Sequence, residues 1–143
     1  MTPGPVDLQT ARRTMSPREQ DNRRLLRARD AIDRDYAQPL DVPTLARIAH
    51  VSPSHFSRTF RATFGETPHR YLQRRRIERA MALLSDTATP VTDVALLVGF
   101  ASLGTFSRTF RDVVGDSPTG YRARTRPVTA PVCFVKSWMR PAG

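Results

Sequence analysis

Between about residues 17 and 124 the apolar positions recur at helical spacing, and no run alternates as a strand would. Leu25, Leu26, Ile32 and Tyr36 mark a first helix from Pro17 or Arg18 to about Tyr36, ended by Gln38-Pro39. Asp41 suits the N-cap of a short helix over 42–49, with Leu45, Ile48 and Ala49 inward. His50-Val51 then form a turn. Ser52-Pro53 reads as an N-cap followed by proline at the first helical position. The helix that follows runs to Phe64, where Gly65 stops it as a left-handed cap. Thr67-Pro68 opens a long helix to about Leu84, with Tyr71, Leu72, Ile77, Ala80, Met81 and Leu84 as its apolar face. A polar loop is expected over 85–90. The pattern then recurs: a short helix over 91–98, a turn at Gly99-Phe100, a cap at Ser102, a helix over 103–114, a stop at Gly115, and a last helix from Ser117-Pro118 to about Arg124. The expected fold is all-α, with about seven helices in two helix-turn-helix units, 17–66 and 87–124, joined by a long linker helix, 67–86. Residues 1–16, rich in Pro, Thr and Arg, are expected to be a disordered arm, and 125–143 a Pro-containing apolar tail.

The recurrence is also literal. Phe-Ser-Arg-Thr-Phe-Arg stands at 56–61 and again, 50 residues on, at 106–111. Gly65, Pro68 and Tyr71 follow the first copy as Gly115, Pro118 and Tyr121 follow the second, so 9 of 20 positions are identical between 54–73 and 104–123. One small unit is therefore built twice. The copies differ by one step: Ala46 to Phe56 is 10 residues, Ala95 to Phe106 is 11, and the second turn carries the extra residue. Gly99 suits a left-handed turn; His50, its nearest equivalent, would adopt that conformation at some cost. Ala46 and Ala95 are small where the two helices of each unit must approach.

On the helix over 54–64, Phe56, Phe60 and Phe64 share one face, with Thr59 and Thr63 beside them. Ser54, Ser57, Arg58 and Arg61 share the opposite one. In the second copy Phe106, Phe110 and Val114 point inward, and Gly104, Ser107, Arg108 and Arg111 outward. A face of short polar groups and guanidiniums, free of bulky apolar residues, can enter a major groove about 12 Å wide. Arg58 and Arg108 sit mid-face, where a guanidinium can fork onto N7 and O6 of a guanine. Arg61 and Arg111, one turn on, are placed for phosphate, which sets position rather than sequence. A linker of about 17 residues spans roughly 26 Å. With the units' own widths added, the reach suits grooves recurring every 34–36 Å or so, hence a monomer on an asymmetric site of about 15–20 base pairs.

Charge agrees with that partner. The chain has 143 residues and a net charge of +10, as expected for a ligand of polyanions such as double-stranded DNA. Of its 23 basic residues only Lys136 is a lysine, a bias that GC-rich coding alone could also produce. The lone Cys133 rules out an intrachain disulfide and a cysteine-cluster zinc site. His50, His55 and His69 lack metal-ligand spacing, so no metal and no cofactor is expected. The longest apolar stretch, 94–98, is far too short to span a membrane, and the first seven residues do not resemble a secretory signal. The expectation is a cytoplasmic, nucleoid-associated protein.

These residues resemble the AraC-type transcriptional regulators, specifically their DNA-binding domain. The resemblance is carried by Leu45-Ala-Arg-Ile-Ala-His-Val-Ser-Pro-Ser-His-Phe-Ser-Arg-Thr-Phe60, Gly65, Thr67-Pro68 and Tyr71. It continues through Arg76-Ile-Glu-Arg-Ala-Met-Ala-Leu-Leu84, Val91-Thr-Asp-Val-Ala95, Val98-Gly-Phe100, Phe106-Ser-Arg-Thr-Phe110 and Gly115-Asp-Ser-Pro-Thr-Gly-Tyr121. It implies two recognition helices that contact promoter bases from early and middle positions. By position these are Ser54, Ser57 and Arg58 in the first, and Thr105, Ser107 and Arg108 in the second, where Gly104 offers no side chain. Ser52, Arg61, Arg75, Ser102 and Arg111 form the expected phosphate set. No segment is expected to form the ligand-binding or dimerisation domain found in most members, so the chain is expected to be of the short, stand-alone class.

Three other readings compete. The chain could be a truncated or non-regulatory DNA-coating module. DNA-repair alkyltransferases carrying similar modules use a cysteine flanked by Pro and His, whereas Cys133 lies between Val132 and Phe134. No phosphate-cradling loop, zinc-protease motif or Ser/His/Asp grouping is visible, so no enzyme is expected. In the tail, Phe134, Val135, Trp138 and Met139 either pack back on the domain or stay loosely ordered, or else form a docking peptide for another protein; RNA polymerase or another protein is a candidate partner of the chain.

Overall fold

A computed structural model describes residues 15–125. The expected arm lies outside those residues apart from Met15 and Ser16. The tail calls, with Cys133, Phe134, Val135, Trp138 and Met139, lie outside them entirely. The described residues form seven helices and no strand: α1 (Pro17–Asp35), α2 (Val42–Ile48), α3 (Pro53–Phe64), α4 (Pro68–Asp86), α5 (Val91–Leu97), α6 (Leu103–Val114) and α7 (Pro118–Thr125). None is long and apolar enough to cross a membrane.

Local chemistry sets these boundaries. Ser16 caps α1 in a capping box: its hydroxyl accepts the Glu19 N–H at 3.1 Å, and its own N–H donates to Glu19 Oε1 at 2.8 Å. Asp41 accepts the Thr44 N–H at 2.9 Å to start α2. Ser52 and Ser102 accept the N–H groups of His55 and Thr105, both at 3.2 Å, to start α3 and α6. Gly65 and Gly115 close those two helices at φ 81° and 88°, each donating to the carbonyl four residues back at 2.8 Å. Helix α5 differs, beginning after Pro90 without a side-chain cap. Three ends move from the sequence reading. α4 runs two residues past Leu84, to Asp86, and the short helices α2 and α5 each stop one residue early, at Ile48 and Leu97.

The chain divides into two compact units at Leu72/Gln73, within α4. In the first, Leu25, Ala28, Ile32, Leu45, Ala46, Ala49, Phe56, Phe60 and Leu72 form a buried cluster. Leu26, expected on the inner stripe of α1, is 40% exposed. A residue beside Leu25 is turned about 100° away from it, so Ala28 and Ala31 take the inward positions instead. In the second unit the buried residues include Ile77, Ala80, Leu84, Val94, Val98, Phe100, Phe106 and Phe110.

The same aromatic ladder stands in both units. Phe56, Phe60 and Tyr71 follow one another at centroid distances of 5.5 and 5.7 Å; Phe106, Phe110 and Tyr121 do so at 5.7 and 5.5 Å. Each unit adds one ring of its own. Phe64, where the second copy has Val114, meets Phe60 at 4.6 Å, and Phe100, where the first copy has Val51, meets Phe106 at 5.3 Å. An arginine covers each added ring: Arg29 lies 4.9 Å from Phe64 and Arg76 5.7 Å from Phe100.

Candidate nucleic-acid interface

The turn between the two helices of each unit is made by one backbone pattern. His50 N–H donates to Arg47 and Val51 N–H to Ala46; Gly99 N–H donates to Leu96 and Phe100 N–H to Ala95, all at 2.9–3.1 Å. His50 is left-handed at φ 59°, as expected, and Gly99 matches it at φ 101°. The turns are therefore equivalent through Val51 and Phe100, and the extra residue of the second copy is Ala101, just before the cap.

The inward Phe pairs orient α3 and α6. Phe56, Phe60, Phe106 and Phe110 are fully buried, so the residues half a turn away must face out. Ser54, Arg58 and Arg61 on α3 are exposed and Ser57 is half-buried; Thr105, Arg108 and Arg111 on α6 are exposed and Ser107 is half-buried. Arg61 and Arg111 occupy the last turns, where a cation also complements the helix dipole.

The two faces differ in detail. On α6 a polar chain runs from Ser102 through Thr105 to Arg108: the two hydroxyls are 3.0 Å apart, and Arg108 Nη2 donates to Thr105 Oγ1 at 3.4 Å. The Arg108 guanidinium also lies over Gly104, where an added Cβ would sit 3.5 Å from Nη1. That is an ordinary van der Waals contact, so the guanidinium rests against the Gly104 backbone. On α3 the residue matching Thr105 is His55, which makes no such bond to Arg58.

The expected phosphate residues are not equally free. The Ser52 and Ser102 hydroxyls are engaged as caps. Arg75 donates to Glu78 Oε1 at 2.5 Å, while Arg74 holds the other oxygen of the same carboxylate at 2.6 Å.

Sequence reasoning missed two arginines. Arg76 of α4 is buried, and desolvation lowers its pKa from the ordinary arginine value. Arg122 of α7 binds three backbone carbonyls, and the signal for it was the mismatch with Leu72, its counterpart in the repeat.

A helix-turn-helix domain family matches residues 45–124. Among solved structures, the C-terminal domain of AraT, a response regulator from Geobacillus stearothermophilus, is similar at 30% identity and a TM-score of 0.70, over 80% of this chain and 90% of that one. The DNA-binding domain of AdpA, a global transcriptional factor solved with a target DNA, is similar at 33% identity and a TM-score of 0.66, over 75% and 94%. Among curated proteins, the bifunctional transcriptional activator/DNA repair enzyme AdaA of Bacillus subtilis (strain 168) is 37% identical over 71 residues, 50% of this chain and 34% of AdaA. The chain spans about a third or less of the length of AdaA and of two other curated relatives. With a helix-turn-helix before α4 in the sequence and another after it, the chain belongs to the AraC-type helix-turn-helix family of transcriptional regulators.

Proposed function

We propose that the chain regulates transcription by placing α3 and α6 in adjacent major grooves of an asymmetric promoter site, as a monomer on double-stranded DNA. One observation carries this reading: two helices with the same cap geometry, left-handed stop and buried Phe pair turn the same Ser-Arg face outward. Ser54, Ser57 and Arg58 contact bases from α3, and Thr105, Ser107 and Arg108 from α6. Ser52, Arg61, Arg75, Ser102 and Arg111 hold phosphates. The single-residue difference at Ala101 and the Gly104/Ser54 difference make the half-contacts unequal, which supports an asymmetric site. RNA polymerase is the natural protein partner of such a regulator, and the nucleoid its location.

The similarity to AdaA raises DNA repair as a second reading. It reaches about a third of AdaA, and Cys133 is the chain's single cysteine. The chain is accordingly read as a DNA binder without catalytic chemistry of its own. Genome-wide binding with motif discovery tests the proposal. A discrete asymmetric motif is expected; uniform coverage across sequences would leave only a coating protein. Methylation of Cys133 after incubation with alkylated DNA would instead favour repair.

A further inference from the structure

Helix α1 gathers Gln20, Arg23, Arg24 and Arg27 on one face at i, i+3, i+4 and i+7. With Met15 and His50 they line a concavity of about 210 Å³ in the first unit. The acids of α1 leave this face largely uncompensated. Glu19 is bound in the capping box with Ser16, Asp33 accepts the Tyr71 hydroxyl at 2.8 Å, and Asp35 pairs with Arg34 at 3.2 Å. Asp21 lies 4.0 Å from Arg24, and Asp30 stands one turn beyond Arg27. Arg23 Nη1 meets nothing more polar than Met15 Sδ, at 3.7 Å.

The lining includes the turn residue His50. Among the described residues it is the one non-glycine with positive φ, and its counterpart in the second copy is Gly99, which adopts that conformation without steric cost. Backbone strain kept where glycine would relieve it points to a use for the side chain. Here that side chain adds an imidazole to a cavity already lined by three guanidiniums.

We infer that Arg23, Arg24 and Arg27 of α1, with His50, form a binding site for a phosphate group. Guanidiniums supply paired N–H donors that match phosphate oxygens, and a concave wall concentrates their field. The phosphate comes either from the DNA backbone beside α3 or from a free phosphate. The first source rests on the DNA-binding reading above; the second does not.

The test compares the unmodified chain with the Arg23→Gln/Arg27→Gln double variant, which keeps good helix formers in α1. Affinity for a generic duplex is measured against salt concentration, and inorganic phosphate is titrated while the arginine Nε–H and His50 NMR signals are followed. If the backbone is the occupant, the variant's log-log salt slope falls by about one to two. If free phosphate is the occupant, it moves the Arg23, Arg27 and His50 signals in the unmodified chain, and the variant loses that response. No change in either measurement overturns the site. A chain that binds phosphate but no duplex sinks the DNA reading and leaves the site standing. His50→Gly covers a double variant that fails to fold. It should raise the unfolding midpoint by releasing the left-handed strain, yet weaken whichever phosphate response the unmodified chain shows; an unweakened response removes His50 from the site, and with the double variant unfolded it overturns the proposal.

Discussion

Arg122 Nε donates to the carbonyl oxygen of Leu84 at 3.0 Å, from the final helix to the last turns of α4, 38 residues away. Its Nη2 also reaches the carbonyls of Thr87 and Thr89, at 3.3 and 2.6 Å. Helix ends leave carbonyls without intrahelical partners. One guanidinium here satisfies such a group and holds the loop that follows.

Arg122→Leu, which installs the residue of the first copy, is therefore expected to destabilise the second unit. The loss should be about 1–3 kcal/mol, because charge-assisted bonds to half-buried carbonyls disappear together. Urea denaturation measures it. An unchanged midpoint would show that water replaces the guanidinium without cost.

The ladders predict a larger effect. Phe110→Ala removes a fully buried ring that contacts Phe106 and Tyr121. A loss of about 3–5 kcal/mol is expected, enough to unfold a small unit of ordinary stability. Calorimetry should show the transition weakened or absent.

Base and phosphate roles separate in binding assays. Arg58→Ala and Arg108→Ala should each cost about 1–3 kcal/mol on the specific site and relax preference at one base pair. Arg61→Ala and Arg111→Ala should weaken all sequences alike and lower the salt slope by about one each. Fluorescence anisotropy on matched and mismatched duplexes decides; unaltered base preference in Arg58→Ala would refute the face assigned to α3.

Glu78 holds both Arg74 and Arg75. If Arg75 serves phosphate, Glu78→Gln should release it and strengthen binding to any duplex, most at low salt. Weaker binding would mean that the ion pairs position Arg75 rather than restrain it.

Acid should loosen the caps. Hydrogen bonds from Thr44, side chain first and then backbone, hold the Asp41 carboxyl below its ordinary value, and the Ser16 N–H does the same for Glu19. A depressed folded value means stability that is present above the unfolded pKa and lost as pH falls through the folded one. Helicity should hold at neutral pH and decline below about pH 4. Asp41→Asn, which caps without titrating, should blunt the decline when followed by circular dichroism.

The sequence by itself determined what depends on neighbours within a turn or two. Serine and aspartate caps, the left-handed Gly65 and Gly115, the unusual His50 and the outward faces of α3 and α6 all follow from spacing and backbone sterics. Phe56 and Phe60 can share a face only by turning Ser54 and Arg58 away, and that is legible without coordinates. Tertiary structure decided where a side chain finds a partner far along the chain. Leu26 stays outside because Ala28 and Ala31 let α1 approach its neighbours. Arg76 goes inside with its guanidinium over the Phe100 ring, Tyr71 finds Asp33, and Arg122 finds Leu84. Such contacts depend on which helix faces meet, and that is fixed by how whole surfaces pack rather than by any local pattern of residues.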